Sequence, residues 1–159
     1  MPTVIPLEIA TVGSQVLWAV EETAGVKPTL LSAYTQLLGV SSAPAIEMTP
    51  ETIDVSDISD YITQYVEGRQ DPGGDAQFTL IHSDAAIDSW EEMKTAADAG
   101  LLENKRLWFV YLFPKGNKAY YFSGRPLTLG NGGIEQNAAD TIPAHVIPNG
   151  ENGWDVKPA

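Results

Sequence analysis

Along Gln15 to Glu21 the side chains alternate, with Val16, Trp18 and Val20 on one face and Gln15, Leu17 and Ala19 on the other. A period of two predicts a strand. Before it, Met1 to Gly13 contains two prolines and no period, which suggests an arm lying on something else. Glu22 to Pro28 carries Gly25 and Pro28 and predicts a turn. Thr29 to Val40 supports two readings. Leu30, Leu31, Tyr34, Leu37 and Leu38 fit a helical stripe, yet Tyr34 to Ser41 also passes as a strand. Ile46 to Val55, interrupted by Pro50, and Ala76 to His82 read as extended. The polar, glycine-rich connection between them, 56–75, far exceeds the ~4–6 residues usual in a compact domain. Long connections of that kind are usually functional or disordered.

The clearest helix is predicted over Asp84 to Ala99. Ser83 or Asp84 can cap its free amides, acids crowd its first turns, and Gly100 stands where a left-handed terminator belongs. Ile87, Trp90, Met93 or Lys94, and Ala97 form one stripe, which should lie on a sheet. Arg106 to Pro114 is almost continuously apolar and aromatic, so that strand must be covered on both sides. Lys115-Gly-Asn-Lys turns it into Ala119 to Ser123, a second strand of an aromatic hairpin. Arg125 to Leu129 continues extended, Gly130 to Gly133 breaks it, and Asp140 to Ile147 gives a last strand before a tail over 148–159. About seven strands and one helix predict a mainly β fold: an antiparallel β-sandwich or open barrel with one flanking α-helix.

Composition narrows what such a fold can do. The 159 residues are one domain's worth, with a 43% hydrophobic and 19% charged make-up ordinary for globular proteins. No apolar run approaches the ~20 residues of a membrane span, and no basic residue precedes Lys27, so a cytoplasmic origin is expected. The net charge of −12 is unevenly placed, because Glu47 to Glu103 holds fourteen acids against only Arg69 and Lys94. A free nucleic-acid binder would show the opposite sign.

Catalytic and metal chemistry is missing from the pattern. There is no cysteine, and the two histidines, His82 and His145, stand in no ligand spacing. Asp54, Asp57 and Asp60 are three apart, whereas a calcium loop needs ligands two apart. Ser123-Gly124 has no glycine two positions earlier, and Gly130-Asn-Gly-Gly lacks the lysine of a phosphate loop. No enzyme, cofactor or metal is expected.

Met48-Thr-Pro-Glu-Thr-Ile-Asp-Val-Ser-Asp, Gly68-Arg-Gln-Asp-Pro-Gly-Gly-Asp and Phe78-Thr-Leu before an acidic helix start resemble, in order and spacing, the tail tube (major tail) proteins of long, flexible-tailed bacteriophages. The resemblance covers roughly Val16 to Ile147 and has no room for the immunoglobulin-like domain that some relatives carry. It favours a strand ending near Val40. It implies a virion protein, assembled in the host cytoplasm, whose rings, hexameric in expectation, stack into a hollow tube. Each subunit then adds strands to a barrel around a lumen through which DNA passes without specific binding. Its partners are further copies of itself and tail proteins such as the tape measure and terminator, with no membrane.

The long connection would reach the next ring. Tyr61, Ile62, Tyr65 and Val66, spaced as on one helical turn, form its expected anchoring face, and Asp57, Asp60 and Glu67 seek bases such as Lys115 or Arg125, with Arg69 completing the contact set. Two alternatives stand beside this reading. One is a related secretion-system tube. The other is a monomeric β-sandwich that stacks a sugar or peptide on Trp18, Trp90, Trp108, Trp154, Tyr120 and Tyr121, although the first three suit a core better.

Overall fold

The computed structural model describes residues 13–71, 73–134, 136 and 140–159. The expected arm over residues 1–13 therefore lies almost wholly outside the described residues. The elements run β1 (Gln15–Val20), a 3-10 turn (Leu31–Ala33), β2 (Thr35–Gln36), β3 (Val40–Ser42), β4 (Thr49–Asp54), β5 (Tyr65–Asp71), β6 (Ala76–Ile81), α1 (Asp84–Leu101), β7 (Leu107–Leu112), β8 (Lys118–Pro126) and β9 (Thr141–Val156). Seven strands form one antiparallel sheet in the order β2-β1-β7-β8-β9-β6-β3, curled into a half-barrel. β4 and β5 form a separate two-stranded sheet.

The alternation in β1 and β7 decides how this sheet is covered. Trp18, Leu107 and Phe109 join Phe78, Leu80, Phe122, Ala144 and Val146 in one core, beneath Ala86, Trp90, Met93 and Ala97 of α1. Leu17, Ala19, Trp108, Val110, Ala119 and Tyr121 turn to the opposite face and pack there with Tyr34. The apolar strand of the aromatic hairpin is thus covered on both sides. Stacking continues through the first core, where the rings of Phe109 and Phe122 lie 5.0 Å apart at 12°.

Helix α1 begins as its sequence predicts, with the Ser83 hydroxyl accepting the Ala86 N–H at 3.2 Å. It ends differently. Gly100 is a buried helical residue, and a Cβ there would stand 2.7 Å from Cγ1 of Val20, so close packing and not chain reversal demands glycine. The left-handed residue is Asn104, at φ 58°.

Thr29 to Val40 is neither a helix nor one strand. The 3-10 turn leads into β2, which pairs Gln36 with Leu17 and Thr35 with Trp18. Gly39 then turns the chain at φ 75° into β3. Tyr34 and Leu37 enter opposite cores while Leu30, Leu31 and Leu38 stay exposed, so the helical stripe is never assembled.

The C-terminal segment also departs from expectation. β9 continues through residues 148–156 and stays in its own sheet, where Tyr120 faces Trp154 and Lys118 faces Val156. Backbone bonds between Ala159 and both Thr29 and Leu31 then fasten the end to the segment before β2.

Candidate assembly surface

The connection over 56–75 is largely a β-hairpin. β5 pairs with β4 through Asp54↔Tyr65, Ile53↔Val66 and Thr52↔Glu67, with an irregularity between Pro50 and Thr52. Extended backbone satisfies the polar groups across the hairpin, which a lone helical turn would leave open. The helical spacing expected of Tyr61, Ile62, Tyr65 and Val66 is therefore corrected. Tyr61 and Ile62 sit at the tip, whereas Tyr65 and Val66 are successive strand residues with side chains on opposite faces.

The tip is tied down by its own side chains. The Asp54 carboxylate accepts the Ser56 N–H at 2.9 Å, and the Ser56 hydroxyl accepts the Gln64 N–H at 2.6 Å. Asp60 accepts the Asp57 N–H at 2.6 Å, and the Asp57 carboxylate accepts the Ile58 N–H at the same distance. The first of these bonds holds the Asp54 carboxyl below the usual carboxylate range. Around this polar frame Ile58, Tyr61, Ile62, Tyr65, Val66, Ile53 and Val55 are all exposed, as are Glu67 and Arg69. Exposed apolar side chains are thus concentrated on this hairpin, which makes it the candidate surface.

The far end of the aromatic hairpin carries an exposed aromatic ring and two lysines. Trp154 is 63% exposed yet packs its ring against Phe113, 5.7 Å away, and edge-on to Tyr120 at 5.3 Å. Lys118, which pairs with Val156, and Lys115, two residues beyond Phe113, are exposed at this end of the hairpin. Nearby, Lys27 bonds Asp155 at 2.5 Å and lies 4.1 Å from the centre of the Tyr121 ring. The Lys27 hydrogen bond, helped by the Val156 N–H, holds the Asp155 carboxyl below the ordinary range.

The stacking surface expected of a ligand-binding module is not brought together. Trp18, Trp90, Trp108 and Tyr121 are buried, which leaves only Trp154 and the half-buried Tyr120. A cleft of about 610 Å³ opens between the start of β1 and residues 36–43, lined by groups such as Gln15, Gln36, Ser41 and Tyr111. No acid–base pair faces it. Among the described residues no three His, Asp or Glu side chains gather as a metal site. His145 contacts Asp75 at 2.9 Å, and His82 lies 3.6 Å from Asp140. No described helix is long and apolar enough to cross a membrane.

No protein-family model and no curated protein sequence matches this chain. Solved structures do share its fold. A subunit of the sixfold-symmetrised anti-feeding prophage baseplate superposes with a TM-score of 0.58 at 6% identity, over 90% of this chain and 92% of that one. A subunit of the native gene transfer agent virion gives 0.55 at 12% identity, over 89% and 95%. A chain from the tail of the empty gene transfer agent particle, determined with C6 symmetry, gives 0.55 at 13% over the same shares. The chain has the fold of subunits found in phage-like tail and baseplate particles.

Proposed function

We propose that this chain, as one domain over residues 1–159, is a structural subunit of a phage tail tube. Copies form rings of six, and the rings stack into a hollow tube that lets DNA pass. The observation that carries this reading is the β4–β5 hairpin, an apolar-tipped projection outside the main sheet. An isolated two-stranded hairpin is marginal in water, so a partner is needed to hold it. The sixfold symmetry of two particles with chains of this fold supports the ring number.

In this role Asp57, Asp60, Tyr61, Ile62, Tyr65, Val66, Glu67 and Arg69 form the inter-ring contact. The chain carries out no catalysis and works in the virion after assembly in the host cytoplasm, alongside the tape measure and terminator proteins. Its net charge of −12 keeps the lumen from gripping DNA, since phosphate contacts by lysine and arginine are what make such binding tight.

Negative-stain microscopy of the purified protein at high concentration tests the reading. Rings or tubes about 100 Å wide are expected from six domains of this size around a pore. Uniform small particles would contradict it, as would an assembled lumen lined mainly by Lys and Arg.

A further inference from the structure

The sheet has one long open edge. β9 is covered by β6 only over Thr141–Val146, and by β8 on its other side over 146–156. From Ile147 to Asp155 the side away from β8 has no strand partner among the described residues. The terminal strands β2 and β3, in contrast, are two and three residues long. A row of unpaired backbone groups along one edge is a template for pairing with another chain.

The hairpin carries the matching edge. β4 contains Pro50, which has no N–H to donate, whereas β5 has no proline along its seven residues. Among the described residues of one chain, the strand partner of β5 is β4. β9 likewise becomes fully competent after Pro148, over a stretch that matches β5 in length, roughly 23 Å.

Charge fixes the direction of pairing. If β5 adds antiparallel to β9, its first residue, Tyr65, lies at the Trp154 end, and the tip that precedes it extends past that end of the sheet. There the acidic Asp54, Asp57 and Asp60 meet Lys115 and Lys118, which form no ion pair among the described residues. The apolar Tyr61 and Ile62 meet the exposed face of Trp154. A parallel arrangement would carry the tip away from every one of these groups.

We infer that β5 of one copy adds as an antiparallel strand to the open edge of β9 in a second copy, with the acidic tip seated on the Trp154, Lys115 and Lys118 end. This rests on the self-assembly proposed above and names the surface that receives the hairpin. Pairing of this kind completes two incomplete sheets at once, because β5 gains its second neighbour and β9 loses its open edge.

The chain with Tyr65 replaced by the photo-crosslinker p-benzoylphenylalanine tests it, assembled as an equal mixture of isotope-labelled and unlabelled protein. Mixed-isotope crosslinks from Tyr65 to the segment 152–157 are expected. Assembled particles whose crosslinks fall elsewhere, or within one chain, would overturn the pairing and leave the tube reading standing. Absence of any assembly in the unmodified protein would overturn both. As a second arm, Lys115→Glu with Lys118→Glu should raise the protein concentration needed for assembly about tenfold. Adding Asp57→Lys and Asp60→Lys to that variant should restore it. No shift in the first case, or no rescue in the second, would remove the basis for the antiparallel direction.

Discussion

A Cβ built on Gly39 would stand 2.5 Å from the Cβ of Ala86, closer than two carbons can approach. Gly39 also sits at φ 75°, in the short crossing that joins the two terminal strands of the sheet, and its carbonyl accepts the Ile81 N–H at 2.8 Å. Beside it the Ser89 hydroxyl accepts the Leu38 N–H at 3.2 Å. Helix α1 therefore closes the half-barrel against bare backbone. Gly39→Ala combines overpacking with a left-handed conformation and should cost about 2–5 kcal/mol. Denaturant unfolding measures this, and a loss below the cost of the left-handed conformation alone would mean that the helix yields.

Glu21 is a second buried joint, 2% exposed. Its Oε1 accepts the Arg106 N–H at 2.7 Å and the Gly25 N–H at 3.3 Å, tying the end of β1 to the start of β7. Glu21→Ala strands both amides and should destabilise the chain by about 1–3 kcal/mol. Glu21→Gln keeps an acceptor oxygen in place and should retain most of that stability in the same unfolding measurement.

The Lys27 and Asp155 pair gives a pH dependence of known sign. Because the folded state holds the Asp155 carboxyl below its ordinary value of about 3.9, the pair's contribution is fully present above that pH. It is lost as pH falls through the lowered value. Asp155→Asn should therefore melt below the parent chain at pH 7. The two melting temperatures should converge under strongly acidic conditions, and a gap that persists there would assign the effect to packing.

Replacing Ile58, Tyr61 and Ile62 together by serine should change the unfolding free energy by no more than about 0.5 kcal/mol per substitution, since surface changes away from packing are nearly neutral. Assembly should fall sharply. Light scattering against protein concentration reads the second effect and chemical unfolding the first. Unaltered assembly would place the ring contact elsewhere.

The parts of this fold written in local signals were legible in the sequence. The Ser83 cap, the Trp90 stripe and the two-sided apolar run at Leu107 to Leu112 each depend on neighbours a few residues away, and each is found as expected. Two features hid because their causes lie far off in the chain. β5 is polar and interrupted by Gly68, so only its pairing with residues 49–54 makes it a strand. In β9, Pro148, Gly150 and Gly153 suggest a loose tail, yet a Cβ on Gly150 would lie 2.6 Å from the Ser123 hydroxyl and 2.8 Å from the Arg106 guanidinium. A side chain there would have to displace the Ser123 hydroxyl and the Arg106 guanidinium, so the residue packs into the sheet instead of lying in a loose tail. The residues of the candidate surface were expected from the resemblance and from a helical spacing that the β4–β5 hairpin replaces, while Trp154 stood out in the sequence only as an aromatic and its surroundings needed the fold.

Hydrogen exchange on the hairpin, compared between the monomer and the assembled particle, reads whether the hairpin is what joins subunits. In the monomer the amides from Asp57 to Gly68 belong to the tip and the first strand residues of a two-stranded hairpin, and they should exchange fast. In the assembly the same amides should be strongly protected, while those of β7 and β8 stay slow in both states. Equal protection of Asp57 to Gly68 in monomer and assembly would contradict the account, because the hairpin would then owe its order to its own chain and could not be what joins one subunit to the next.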